Sequence, residues 1–220
     1  MKTMYISKIV PEAGQLEGAE QIPSLLDAAH IPFEYIRCVN WKDYPYCPDV
    51  RFRTAHTGDS VLLEYRVKEA SVRAVADTDN GRVWEDSCCE FFFQGPGDKD
   101  EYYNFECNCG ESLLIGYGRR GERERAPLEV TRAVQRWSSL GKAPFEERMG
   151  ECEWQLALRI PVTAFFRHQI DCLDGLATRA NFYKCGDKLT TPHFLSWNPI
   201  NLPEPCFHCP EFFGLIRFND

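Results

Sequence analysis

Apolar and polar residues alternate with a period of two along much of this chain, and the alternation is clearest on either side of Gly95-Pro96-Gly97-Asp98. Ser87 to Gln94 and Tyr102 to Cys109 are rich in aromatic and strand-favouring residues, and the Gly/Pro segment between them predicts a turn, so the stretch reads as a β-hairpin. Because successive side chains on a strand point to opposite faces, parity alone divides the hairpin. One face carries Cys89, Phe91, Phe93, Tyr103, Phe105, Cys107 and Cys109 and reads as core. The other carries Cys88, Glu90, Phe92, Asn104, Glu106 and Asn108, and gathers two carboxylates and two amides on one patch of sheet. A loop symmetric about Asp98 sets Glu90 opposite Glu106 and Phe92 opposite Asn104, with facing Cβ atoms about 5 Å apart.

The same pattern predicts a second hairpin, Val50 to Thr57 and Ser60 to Val67 around Gly58-Asp59. Further strands are expected at residues 5–10, Ile31 to Val39, Val72 to Ala76, Leu113 to Tyr117, Val130 to Arg136, Glu153 to Ile160, Ala177 to Lys184, Phe194 to Trp197 and Phe213 to Phe218. Ile22, Leu25, Leu26 and Ala29 follow helical spacing, and Pro161 suits the first turn of a short helical segment. Many short strands, frequent turns and little helix predict an all-β fold, an antiparallel β-sandwich with one or two short helices. No Gly/Ser-rich linker divides the 220 residues, so one domain is expected, with residues 1–48 as an N-terminal extension packed on the sandwich.

A net charge of −8 argues against a surface that tracks phosphates, so no nucleic-acid partner is expected. The one basic cluster, Arg119-Arg120-Gly121-Glu122-Arg123-Glu124-Arg125, is nearly cancelled by its glutamates and reads as a solvated loop. No apolar run is long enough to cross a bilayer. The cysteines number eleven, an odd count, and the adjacent Cys88 and Cys89 point to opposite faces, which suits free thiols rather than a disulfide framework. Met1-Lys2-Thr3-Met4-Tyr5-Ile6 leads straight into Ser7-Lys8 with no apolar signal-peptide core, and a reducing, cytoplasmic setting is the expectation. The sequence sets no oligomeric state.

Three motifs have chemical readings that their context weakens. Gly116-Tyr117-Gly118-Arg119-Arg120-Gly121 has dinucleotide-binding spacing, but runs into charge and Pro127 where that motif needs a helix. Cys206-Phe207-His208-Cys209 is half a zinc site, and its second half would have to come from Cys107 and Cys109 or from Cys185 and His193, so no metal is assigned. Ser112 lacks the glycines of a nucleophile elbow. Glu90 and Glu106 resemble a glycosidase pair in separation, yet neighbours on one sheet face the same way and cannot bracket a glycosidic bond. Such a pair needs a shared proton or a cation, supplied by an arginine, with Arg73 the nearest in the chain, or by calcium. Trp84, after a polar loop, suits a ring at the sandwich rim. Trp197 reads as core, and Phe207 between Pro205 and Pro210 as the exposed ring.

The order of several pieces resembles the family 9 carbohydrate-binding modules: Trp84-Glu85-Asp86-Ser87 running into Glu90-Phe91-Phe92, then Asn181-Phe182, Ser196-Trp197-Asn198-Pro199 and Pro210-Glu211-Phe212-Phe213-Gly214-Leu215. The resemblance spans residue 49 to the C-terminus. It implies a sugar held without catalysis between two rings, with Trp84 as the first ring, Phe207 as the second, Glu90 as a carboxylate ligand and Asp77 as an acid in the preceding loop. It also implies an arginine where Glu106 stands here. With Asn104 and Asn108 from the polar hairpin face, these residues make up the expected carbohydrate site, with no cofactor beyond optional calcium. A hydrolase using the paired carboxylates and a protein-interaction module on the same fold are the alternatives.

Overall fold

A computed structural model describes all 220 residues. In chain order the elements are β1 (Thr3–Lys8), helix α1 (Ile22–Ala28), β2 (Glu34–Tyr35), β3 (Cys38–Val39), β4 (Asp49–His56), β5 (Ser60–Ala74), β6 (Cys88–Phe93), β7 (Tyr102–Asn108), β8 (Leu113–Arg119), β9 (Glu122–Arg125), helix α2 (Leu128–Ala133), β10 (Gln135–Ser138), β11 (Phe145–Pro161), β12 (Ala177–Cys185), β13 (Phe194–Ser196) and β14 (Gly214–Phe218). One sheet runs β14-β12-β6-β7-β8-β9 and the other β10-β11-β5-β4. They share β1, whose residues Thr3 to Ile6 pair in parallel with β14 and whose Ser7 and Lys8 pair in parallel with β4. The N-terminal segment thus supplies a strand that both sheets use.

The two sheets meet face to face over one apolar core, to which Phe52, Leu63, Tyr65, Leu156 and Leu158 come from one side and Phe91, Phe105, Ile115 and Phe182 from the other. Phe52 stacks on Phe182 with ring centres 4.1 Å apart. The architecture is the expected antiparallel sandwich. Its central hairpin, β6 and β7, has the register that loop symmetry predicts, with Glu90 opposite Glu106 and Phe92 opposite Asn104. Its apolar face does enter the inter-sheet core.

Three expectations need correction. Val72 to Ala74 is the far end of β5 rather than a separate strand, because β11 is long enough to pair along the whole of it. Val130 to Arg136 is not one strand: Pro127 opens helix α2, and β10 begins at Gln135. Val130 and Val134, four apart, both pack on the core across that turn, a helical spacing that their β-branched character masked. Ile31 to Val39 is broken into β2, paired with β4, and β3, paired with β13, so it crosses from one sheet to the other.

The outer faces are covered differently. Over β4, β5 and β11, Ile22 and Leu26 of α1 pack with Ala19 on Ala55, Leu62 and Ala157. Over β6, β7 and β12, the loops bearing Trp41, Ile200, Phe207 and Phe213 close on Phe92, Tyr102, Leu114 and Tyr183. The polar hairpin face is therefore not an open sheet surface, and most of it lies under a second apolar cluster.

Candidate functional site

Where those loops leave a gap, a cleft of about 440 Å³ opens onto the sheet. Its floor is Glu90 of β6 with Asn104 and Glu106 of β7, which share a face by parity and adjacency by register. Cys185 of β12 extends the floor. Trp84, Phe194, Phe207 and His208 form walls, and Asp187 stands at the rim. Trp84 projects from a single 3-10 turn, Val83–Glu85, which the polar loop before it allows to leave the sheet. Its carbonyl accepts the Asp187 amide at 3.2 Å, so the two rim segments are tied together.

Arg123 and Arg125 bring positive charge from β9. Arg123 donates to the Asn104 side-chain oxygen and to the Tyr102 carbonyl, and its guanidinium lies 4.2 Å from the centre of the Tyr102 ring. Asn104 in turn donates to Glu106 at 2.6 Å. The guanidinium of Arg125 sits 5.9 Å from the Trp84 ring centre. The chain Arg123 to Asn104 to Glu106 fixes the amide orientation, because Asn104 accepts at one end and donates at the other. Gly116 lies opposite Asn104, and a Cβ there would come within 2.6 Å of the amide oxygen, so a bare backbone makes room for this chain.

Both floor carboxyls are almost fully buried, at 3% and 4% exposed. Burial, reinforced by Glu106 beside it, holds Glu90 well above the usual carboxylate range. Burial likewise pushes Glu106 up to about 7, against the Asn104 hydrogen bond and the charges of Arg125 and Arg123, which favour its ionised form.

Of the residues expected from sequence, Trp84, Glu90, Asn104, Glu106 and Phe207 converge on the cleft. Asn108 does not: it is fully buried, donating to the Ala76 carbonyl and to Asp86 and accepting the Gly110 and Ser112 amides, all of which brace the strand ends. Asp77 is exposed in a separate hollow with Asp79, Glu111 and Arg136. Phe207 is a wall but not an exposed ring, since it is 9% accessible and stacks on Tyr183 at 4.1 Å and 6°. Trp197 is core, as expected. Arg73 does not neutralise the glutamate pair, because Asp86 holds it at 2.6 Å.

The proposed halves of a zinc site do not meet. Cys107 and Cys109 lie in the inter-sheet core, His193 bonds to Lys184, and Cys185 turns to Glu90. The glycine-spaced motif at 116–121 belongs to β8 and its turn into β9, with no helix directly after it. The main omission concerns residues 119–127. Within them Glu122–Arg125 is strand β9 rather than solvated loop, and the period-two run Glu122-Arg123-Glu124-Arg125 is the signal, setting both arginines on one face.

A two-sheet sandwich with an aromatic-walled cleft, floored by carboxylate and amide groups, defines a ligand-binding module. The chain belongs to carbohydrate-binding family 9, whose family model matches residues 20–218. A crystal structure from Bacteroides uniformis ATCC 8492, described as "a putative carbohydrate-binding protein", is 58% identical with a TM-score of 0.95 over 99% of both chains. A family 9 module from Caldicellulosiruptor kristjanssonii shares the fold in its cellotriose complex, at 10% identity and a TM-score of 0.61 over 99% of this chain and 94% of that one. The glucose complex of a module from the same organism gives 11% identity and 0.59 over 99% and 96%. No curated protein matches the chain.

Proposed function

We propose that the protein binds a mono- or oligosaccharide without catalysis, in the cleft between Trp84, Phe207 and the Glu90–Glu106 floor. The observation that carries this reading is the combination in one cleft of ring faces with buried, oriented carboxylate, amide and guanidinium groups. Sugar rings present axial hydrogens to aromatic faces and hydroxyls to such groups. A volume of about 440 Å³ is in the range of small-ligand sites. Family membership and the sugar complexes of the distant modules agree with it. Hydrolysis fits less well: Glu90 and Glu106 are cross-strand neighbours on one floor, whereas a glycosidase places its pair on either side of the scissile bond.

The setting we propose is a reducing one, supported by the odd count of eleven cysteines and by Cys89, Cys107 and Cys109 packing as small apolar residues in the inter-sheet core. A glycan array followed by calorimetry on the best ligand tests the function. Trp84→Ala should weaken binding by about 1 to 2 kcal/mol at an unchanged fold. An array with no sugar bound, or a Trp84→Ala affinity equal to wild type, would refute the reading.

A further inference from the structure

Glu90 stands apart from the other buried acids. Glu64 has Arg53 at 2.5 Å, Glu69 has Lys184 at 2.9 Å and Asp86 has Arg73 at 2.6 Å. Glu106 accepts from Asn104, and Glu111 accepts the Ser138 amide at 2.9 Å. The Glu90 carboxyl has neither a cation nor an N–H, and its one hydrogen bond comes from the Cys185 thiol at 3.1 Å. A thiol is a weak donor, so a carboxyl that is 3% exposed is left poorly compensated.

The neighbours of that carboxyl are chemically specific. Cys185 is the register partner of Cys88 on β6, and Glu90 lies two residues from Cys88 on the same face. The two sulfurs and a Glu90 oxygen all lie within 4.8 Å of one another, and all three residues are buried. Strand parity and register, not chance loop placement, bring them together.

We propose that Cys88, Glu90 and Cys185 form a binding site for a thiophilic divalent cation of the zinc type. Two sulfurs and one carboxylate suit a borderline-soft ion and not calcium or magnesium, which take oxygen ligands. Three protein ligands leave a fourth position, and Glu90 and Cys185 both line the cleft, so that position opens toward it. With metal–sulfur bonds of about 2.3 Å and metal–oxygen bonds of about 2.1 Å, tetrahedral ligand atoms stand about 3.5 to 3.8 Å apart. The triangle present closes to this by side-chain adjustments of about 1 Å or less. The ion is held by two thiolates and a carboxylate, and the protons these groups carry beforehand go to solvent as it binds. The residual negative charge faces Arg123 and Arg125 across the cleft.

The test needs no sugar, so its failure and that of the carbohydrate reading are separable. The full chain, reduced and stripped with a chelator, is titrated with cobalt(II). One cobalt per chain should bind with a thiolate-to-metal charge-transfer band and tetrahedral d–d bands, and zinc should displace it. Cys88→Ser and Cys185→Ser should each remove about half of the charge-transfer intensity or more. Glu90→Gln should retain the band and lower affinity about tenfold or more, since loss of even an outer-shell partner costs that much. Cys206→Ser and Cys209→Ser, which alter a closely spaced thiol pair outside this triad, should leave the band intact. In the unmutated protein, zinc should slow alkylation of Cys88 and Cys185 relative to the chelated form, measured by peptide mass mapping in enough urea for these buried thiols of the metal-free protein to react. A missing charge-transfer band, a band that survives both Cys88→Ser and Cys185→Ser, a band lost in Cys206→Ser, or no protection of Cys88 and Cys185 would overturn the assignment.

Discussion

Replacing Lys184 with methionine should destabilise the protein by about 3 to 5 kcal/mol, because it strands a buried carboxylate. Lys184 lies on β12 opposite Cys89, fully buried between the sheets. Its ammonium pairs with Glu69 at 2.9 Å, donates to His193 Nε2 at 2.7 Å and donates to the Cys185 carbonyl at 2.9 Å. Burial alone would push this lysine down, but Glu69 outweighs it and the group sits above its ordinary value. Methionine keeps the length and apolar bulk of the side chain while removing the charge. Glu69 then keeps one hydrogen bond, from the Trp154 indole N–H at 2.7 Å, with the buried His193 ring 3.6 Å away, for a carboxylate with no exposure. For a domain of this size each kcal/mol moves the melting temperature by about 2 to 4 °C, so a fall of roughly 6 to 20 °C is expected. Urea unfolding followed by tryptophan fluorescence and circular dichroism measures the loss directly. The double variant Lys184→Met/Glu69→Gln should be more stable than Lys184→Met alone, since the stranded charge has gone while the acceptor for Trp154 remains. A cost below about 1 kcal/mol for Lys184→Met, or strictly additive losses in the double variant, would show that the pair does not couple as the geometry requires.

His193, fully buried against Lys184 and bonded to the Thr191 carbonyl, has its pKa pushed down to about 3, chiefly by burial and then by Lys184. Its folded-state pKa lies below the unfolded value, so its contribution to stability is complete above about pH 6.5 and is lost as pH falls toward 3, by at most about 1.4 kcal/mol per unit. His193→Gln should therefore flatten the acid limb of a stability-against-pH curve, and an unchanged slope would count against a buried neutral imidazole. Thiol titration under denaturing, non-reducing conditions should return close to eleven groups, and mass shifts that reveal several disulfides would contradict the free cysteines of the fold. Gly116→Ala should displace Asn104 from between Arg123 and Glu106, lower the melting temperature because buried Glu106 loses its hydrogen bond, and weaken sugar binding several-fold, which calorimetry on the folded variant reads. Full affinity in that variant would separate Asn104 from the binding site.

The strand faces of the central hairpin were legible in the chain because side-chain parity and a symmetric turn are local properties, and Glu90 met Glu106 as the pattern required. Sandwich architecture followed equally from many short alternating strands. What covers each face was decided elsewhere. The floor became a cleft only because residues 41–48 and 200–213, distant in sequence, fold over β6, β7 and β12 and bury Phe207 against Tyr183. Arg123 and Arg125 reached the site through the pairing of β9 with β8, which turned a charge-balanced run into one basic face and one acidic face. Asp77 and Asn108 fell outside the cleft for the converse reason. Proximity in sequence set them beside the hairpin, but Asn108 was drawn in to satisfy buried backbone groups, and the Asp77 loop ends over a different hollow. Periodicity fixes which way a side chain points along its own strand, whereas its surroundings depend on non-local pairing and on which loops find an apolar surface to close.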